Sequence, residues 1–203
     1  CGLRCTIKIN CYKKAEVYLT MRILAEKSFA MFIDFQEKLM PAMSKRKSVL
    51  ERSAMLAQGL NELTIPAILT QQYTKGLGWT VSPLKELLDG APCFDKASFS
   101  CMDDGRINGA VRSMNDLGRN QAIICGVEAH VCVLQTCIDL RAAGYEVALV
   151  TDCISSRKPS DKKTALRRAE EEGCLLTTSE AILFELTRTS KNEHFKFISN
   201  LVK

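Results

Sequence analysis

Short apolar runs alternate with helical patterns along most of this chain, and no other feature limits its possible folds so much. Runs with the length and apolar character of buried strands occur at residues 28–36, 65–70, 92–100, 122–125, 145–151 and 174–177. Helices are predicted at residues 48–62, 85–88, 104–115, 132–141, 161–172 (capped by Ser160), 179–186 and 195–202, with loops at 71–78 and 152–157. The alternation predicts an α/β fold with an open, six-stranded parallel sheet of the Rossmann-like kind, covered by helices in three α/β/α layers.

The chain has 203 residues, and its 46% apolar and 25% charged residues are typical of a soluble globular protein. We expect a single domain over residues 26–203, preceded by a basic N-terminal extension over residues 1–25. That extension is either part of an organelle-targeting leader or a plain basic segment, and its stretches 5–10 and 15–20 allow a weak hairpin or an irregular chain. No apolar stretch approaches the ~20 residues that span a bilayer, so no membrane partner is expected.

Ten cysteines and two histidines bear on the compartment and on metal binding. The cysteines lie in apolar patterns without framework spacing, which predicts free thiols in a reducing compartment, the cytoplasm or the mitochondrial matrix. No CxxC pair occurs and the two histidines, His130 and His194, are far apart, so we expect no metal site and no cofactor. The net charge of +5 is spread over the chain, and this pattern does not favour nucleic-acid binding.

Cys132 follows a buried strand and a tight turn, at the predicted start of the central helix. A thiol at a helix N-terminus ionises more easily than a free one, so this cysteine is the candidate nucleophile. The alternative is a buried structural thiol, since free cysteine is among the most often buried residue types. That second interpretation fits Cys125, inside the strand, and Cys137, inside the helix.

Three chemically active groups follow or lie near the carboxyl ends of separate predicted strands: Asp34, Lys96 and Cys132. These ends converge in a parallel sheet, so the three side chains are expected to meet. An acid can take the proton of a thiol and a cation can stabilise the thiolate, without any histidine. Taken singly, Asp34 could instead satisfy backbone N–H groups of its loop, Lys96 could be exposed, and Glu128 could be a surface charge.

Several motifs occur together and in order: FIDFQ at residues 32–36, FDKASFS at 94–100 and GVEAHVC at 126–132. In these motifs the chain resembles the isochorismatase-like cysteine hydrolases, over most of residues 28–203. The segments QYTKGLG (72–78), DCISSR (152–157) and TTSE (177–180) resemble those of the eukaryotic isochorismatase-domain-containing proteins in particular.

The resemblance implies a catalytic triad and an isochorismatase-like hydrolase fold. Asp34 would take the thiol proton, Lys96 would support the thiolate, and Cys132 would attack a carbonyl-type carbon to give a thioester that water hydrolyses. The resemblance also implies a non-proline cis peptide between Val127 and Glu128, with the N–H groups of Glu128 and Cys132 forming an oxyanion hole.

Some family features are missing, which limits the choice of substrate. Nicotinamidases of this superfamily bind metal through an Asp-x-His arrangement, whereas this chain has QQY at residues 71–73. We therefore expect a metal-independent hydrolase of a small amide or related substrate, assembled as a homo-oligomer. The alternative is a mitochondria-associated ribonuclease or a nucleic-acid-binding protein, because similar trypanosomatid proteins carry that label. Proximity to the strand ends predicts the following substrate contacts: Gln36, Gln71, Tyr73, Phe99 and His130.

Overall fold

The computed structural model describes residues 21–203, so the stretches 5–10 and 15–20 lie outside the described residues. Six parallel strands form one sheet, as the sequence predicts. The strands are β1 (Ser28–Ile33), β2 (Ala67–Gln72), β3 (Cys93–Lys96), β4 (Gln121–Val127), β5 (Glu146–Ser155) and β6 (Leu175–Thr177). They lie side by side in the order β3-β2-β1-β4-β5-β6. Strands β2 and β3 lie on one side of β1, and strands β4, β5 and β6 lie on the other. A crevice is expected at the carboxyl ends of β1 and β4, where the strand order changes direction.

Helices cover both faces of this sheet. They are α1 (Arg46–Glu62), α2 (Thr74–Leu77), α3 (Ser82–Leu87), α4 (Gly105–Asp116), α5 (Leu134–Ala142), α6 (Pro159–Glu171), α7 (Ser179–Thr187) and α8 (Phe195–Leu201). Helix α1 packs with α3, α7 and α8, whereas α5 packs with α6. Alternate residues of β1 enter the two cores: Phe32 belongs to one, and Met31 and Ile33 belong to the other. The three-layer α/β/α arrangement is therefore confirmed.

Several predicted boundaries were wrong, and three of them affect the site. β1 ends at Ile33 rather than at residue 36, and β2 continues to Gln72 rather than ending at residue 70. The central α-helix begins at Leu134, because residues Ala129–Val133 form a π-helical turn that contains Cys132. The loop predicted at residues 71–78 contains the short helix α2.

The fifth strand and the helix after it also differ from the prediction. Residues 152–155 belong to β5 and not to an exit loop, because a register shift between Ile124 and Gly126 lets β5 pair with β4 again near its end. Helix α6 begins at Pro159 with Lys158 as its N-cap, so Ser160 is not the cap. Proline suits the first helical position because its fixed φ is helical and its missing N–H is not needed there.

Gly126 allows β1 and β4 to approach each other where the site begins. It pairs with Ile33, has φ of 145°, and a Cβ on it would lie 2.3 Å from the backbone oxygen of Ile33. An L side chain fits neither this backbone conformation nor this spacing. The residue directly after Ile33 is Asp34, so this contact helps to set the position of that carboxylate.

We predict that Gly126→Ala lowers the free energy of unfolding by about 3 kcal/mol or more, from backbone strain plus the clash with β1. Gly109→Ala is the matched control, because Gly109 lies in α4 with nothing within 4 Å of an added Cβ. That change is expected to stabilise the protein by roughly 0.5–1 kcal/mol. Equilibrium urea unfolding measures both values, and equal stability of the two variants would contradict the prediction.

Candidate active site

Asp34 lies directly after β1 with φ of 56° and is fully buried. Its Oδ2 accepts a hydrogen bond from Lys96 Nζ at 2.8 Å, and its Oδ1 accepts one from Thr70 Oγ1 at 2.7 Å. The carboxylate is thus bound by side chains of β2 and β3. These contacts differ from the alternative prediction, in which Asp34 satisfies backbone N–H groups of its loop. A buried acid with two such donors is held in one orientation.

Lys96 is the last residue of β3, and its side chain is buried rather than exposed. Besides Asp34, Nζ donates to Gln72 Oε1 at 2.7 Å and to the carbonyl oxygens of Ser98 and Phe99 at 3.2 and 3.3 Å. Burial by itself lowers the pKa of Lys96, but the nearby Asp34 charge acts against it, and the pKa is raised. The ammonium is therefore charged at neutral pH, and its partners compensate for its loss of water.

Cys132 lies in the π turn and is 6% exposed, with its Sγ 4.0 Å from Gln72 Oε1. Burial, and next the charge of Asp34, raise the pKa of this thiol to about 12, although Lys96 acts to lower it. The prediction that Cys132 ionises more easily than a free thiol was therefore wrong. Placing a thiolate beside a carboxylate in a buried site is costly, and the nearby ammonium of Lys96 offsets only part of that cost.

Gln72 is a site residue that sequence reasoning missed. Its Oε1 accepts from Lys96 and faces the Cys132 sulfur, while its Nε2 donates to the carbonyl oxygen of Ala97 at 2.8 Å. Neighbouring residues of a strand point to opposite faces, so only one of Gln71 and Gln72 can reach the thiol. The choice between Gln71 and Gln72 requires knowing that β2 continues to Gln72, two residues beyond its predicted end.

The expected cis peptide bond is present between Val127 and Glu128. The Glu128 carboxylate is not a free surface charge, because its Oε2 accepts from Arg157 N at 3.0 Å and Arg157 Nε at 3.1 Å. Its side chain is 11% exposed. The backbone of Glu128 leads directly into the π turn, so it is close in sequence and in space to Cys132.

The chain is similar to known proteins over most of the residues that the structure describes. The family model of the isochorismatase domain matches residues 29–181. The chain belongs to the isochorismatase family. Isochorismatase domain-containing protein 2 of Danio rerio is 38% identical over 181 residues, 89% of either chain. The protein is thus an isochorismatase-like hydrolase.

Two solved structures show the same fold. The MAR1 ribonuclease of Caenorhabditis elegans superposes with a TM-score of 0.84 at 37% identity, over 90% of this chain and 92% of that one. The YcaC gene product of Escherichia coli, an octameric hydrolase of unknown specificity, superposes with a TM-score of 0.81 over 90% and 95% of the two chains. At 23% identity the second likeness concerns the fold alone.

The five residues predicted to contact substrate fall into two groups. Gln36 and Gln71 are buried, and their amides bond internally: Gln36 with Gln72 and Gly78, and Gln71 with Thr80 and Thr74. Tyr73 and Phe99 are 61% and 55% exposed, while His130 is partly exposed and bonds through Nδ1 to Ser156 Oγ at 2.9 Å.

Exposed aromatic side chains occur on the segments that follow β2 and β3, and they are Tyr73, Trp79 and Phe99. The backbone places two of them next to Lys96: Tyr73 N donates to the Lys96 carbonyl oxygen, and the Phe99 carbonyl oxygen accepts from Lys96 Nζ. Trp79 was missed because its sequence neighbourhood carries no strand-end signal. We call these three residues the aromatic rim.

Neither a metal-binding cluster nor a membrane-spanning helix occurs within residues 21–203. No group of three or more His, Cys, Asp or Glu side chains there is arranged to hold a metal ion. In the same range, no helix has the length and apolar character needed to cross a bilayer. Cys125 and Cys137 are fully buried, as predicted.

We predict opposite shifts of the Cys132 pKa in two variants. Asp34→Asn removes a negative charge that raises this pKa, so the pKa falls and alkylation by iodoacetamide at a given pH becomes faster. Lys96→Met removes a charge that lowers the pKa, so alkylation requires a higher pH. Alkylation rates against pH, with mass spectrometry to locate the label, measure the shifts.

The matched controls for this experiment are Asp89→Asn and Lys47→Met, which make the same charge changes at exposed positions. Neither is expected to move the alkylation profile of Cys132, because charges in water are screened. Shifts of the same sign in Asp34→Asn and Lys96→Met would contradict the assignment of these electrostatic effects.

Proposed function

We propose that this protein is a metal-independent cysteine hydrolase of a small amide or a related carbonyl substrate. The observation that supports this most is the buried cluster in which Asp34, Lys96, Gln72 and Cys132 meet at the carboxyl ends of three neighbouring strands and the π turn. A nucleophile, a base within reach and a cation in one dry site are the parts that acyl transfer needs.

The pKa of Cys132 near 12 determines the order of events in the proposed reaction. At neutral pH the thiol keeps its proton in the resting site, so transfer of the proton to Asp34 accompanies the attack of sulfur on the carbonyl carbon. Asp34 is suited to the role of general base because it is buried beside the thiol with its orientation fixed by Lys96 and Thr70. Lys96 offsets the negative charge that forms during this transfer.

The tetrahedral intermediate then carries a negative oxygen, for which we propose the N–H groups of Glu128 and Cys132 as donors. Its collapse breaks the C–N bond, and the amine leaves with the proton held by Asp34. A water molecule, deprotonated by Asp34, attacks the thioester that remains. Breaking the C–S bond releases the acid and returns the proton to Cys132.

The exposure of each predicted side chain indicates whether it can contact substrate directly. We assign direct contact to Tyr73, Phe99 and His130, with Trp79 completing the aromatic rim. Gln36 and Gln71 act indirectly, because their amide groups bond to other protein groups. Three exposed aromatic side chains favour a substrate with an apolar portion, since such contacts bury ring surface at little entropic cost.

A second candidate function, RNA cleavage, is supported by the likeness to the MAR1 ribonuclease structure of Caenorhabditis elegans. It is the weaker candidate, because the described residues of the thiol site include no pair of histidines and no cluster of carboxylates, which phosphodiester cleavage uses as acid and base or as metal ligands. Incubation with labelled single-stranded RNA would favour it if cleavage occurred and were lost in Cys132→Ala.

We also propose a homo-oligomer, on the ground that the Escherichia coli YcaC gene product is octameric. Light scattering measures the assembled mass. A monomer mass at micromolar concentration would contradict this proposal.

We predict that Cys132→Ala lowers turnover of a responsive small amide by about a thousandfold or more, as expected for loss of a nucleophile. The matched control is Cys137→Ala, which removes another buried thiol of the same region that has no proposed role. This control is expected to retain turnover. Turnover that survives Cys132→Ala in an otherwise folded protein would remove the proposed mechanism.

A further inference from the structure

A cavity of about 510 Å³ opens above the carboxyl end of β5. Its walls come from the start of α1, the end of β5 and the start of α6, and none of Asp34, Lys96 and Cys132 lines it. A volume of this size is within the range of pockets for small organic ligands. The cavity is therefore separate from the cysteine site and large enough to hold a ligand of its own.

Lysines from two helices give this cavity a positive charge. Lys45 comes from the start of α1, and Lys162 and Lys163 come from the first turn of α6. The acid among the described lining residues is Asp152, and its two carboxylate oxygens already accept from Ser179 N at 2.8 Å and Ser179 Oγ at 2.6 Å. Three lysines face one acid, so the net charge of the wall is positive.

Charged groups of the wall act on Lys162. Burial lowers the pKa of Lys162, the charge of Asp152 acts against that lowering, and the charge of Lys45 adds to it. Lys162 Nζ donates to the carbonyl oxygens of Thr151 and Ile154, each at 2.8 Å. Lys162 is thus fixed within the wall, whereas Lys45 and Lys163 are exposed, and an anion in the cavity would offset the positive charge of the wall.

The backbone and the hydroxyl groups around the lysines add donors to the same space. Lys45 has φ of 52°, an unusual conformation for a residue with a Cβ, and such conformations concentrate at ligand sites. No side chain caps α1 or α6, whose first turns line the cavity. Ser44 and Ser48 supply hydroxyl groups beside the lysines.

We propose that this cavity binds a small phosphomonoester, with its phosphate against Lys45 and Lys163 and its organic part in the remaining volume. A phosphate carries close to two charges and three terminal oxygens, so it can satisfy two lysines and a hydroxyl at once. A carboxylate carries one charge and would offset less of the positive charge of the wall. The cavity is far larger than inorganic phosphate alone, which is why an organic group belongs to the ligand.

The cavity is connected to the π turn by a hydrogen bond. Ser156 lines the cavity, and its Oγ bonds to Nδ1 of His130, two residues before Cys132. The binding proposal itself does not depend on the hydrolase proposal, because none of its contacts involves the thiol. Cys132→Ala is accordingly expected to bind the ligand as the wild type does.

Calorimetric titration with adenosine monophosphate, at fixed ionic strength, tests this proposal. The double variant Lys45→Gln/Lys163→Gln removes two charge-assisted contacts, so we expect its Kd to rise by about tenfold or more. The matched control is Lys191→Gln/Lys196→Gln, which removes the same charge from exposed lysines outside the cavity and should leave the Kd unchanged. Lys45→Arg/Lys163→Arg keeps the charge and should keep most of the affinity.

Three outcomes would overturn the phosphomonoester site. They are no heat of binding at millimolar ligand, an unchanged Kd in Lys45→Gln/Lys163→Gln, and equally tight binding of acetate. Thermal unfolding of each variant verifies that it is folded before titration. Loss of amide turnover in Cys132→Ala with unchanged ligand binding would separate this site from the catalytic one.

Discussion

The ion pair between Asp34 and Lys96 is the interaction on which the arrangement of the site depends. It joins the end of β1 to the end of β3 across β2, and both side chains are fully removed from water. A buried pair is stable only if the remaining donors and acceptors are satisfied, and here Gln72, Thr70 and two carbonyl oxygens do so. The short edge strand β3 is held in place by the same contacts that orient the acid.

This arrangement gives the thiol an environment unlike that of many cysteine enzymes. Cys132 lies near a cation and at the start of a helix, yet a dry site and an adjacent carboxylate outweigh both. A buried thiol with a raised pKa carries little thiolate at neutral pH. Oxidants and alkylating agents attack the thiolate, so this environment slows their reaction with Cys132.

Most of the fold, but only part of the site, could be predicted from the sequence. Six apolar runs were sufficient to predict the parallel sheet, and strand ends were sufficient to bring Asp34 and Lys96 together, because both signals are local. Gln72 was missed because the true end of β2 depends on pairing with β3, which no local pattern reports. The extension of β5 depends on a register shift in its neighbour, and the pKa of Cys132 depends on burial and on a charge nearly a hundred residues away. Each of these is a non-local effect.

The side chain of Gln36 shows how the rim of the site is attached to the scaffold. Its amide bonds to the backbone N–H and carbonyl oxygen of Gln72 and to the carbonyl oxygen of Gly78, so it holds both ends of the segment that carries Tyr73. All three partners are main-chain atoms, which every residue type possesses. Side chains within this segment can therefore be exchanged during evolution without loosening its anchorage, and one scaffold can acquire new specificities by point substitution.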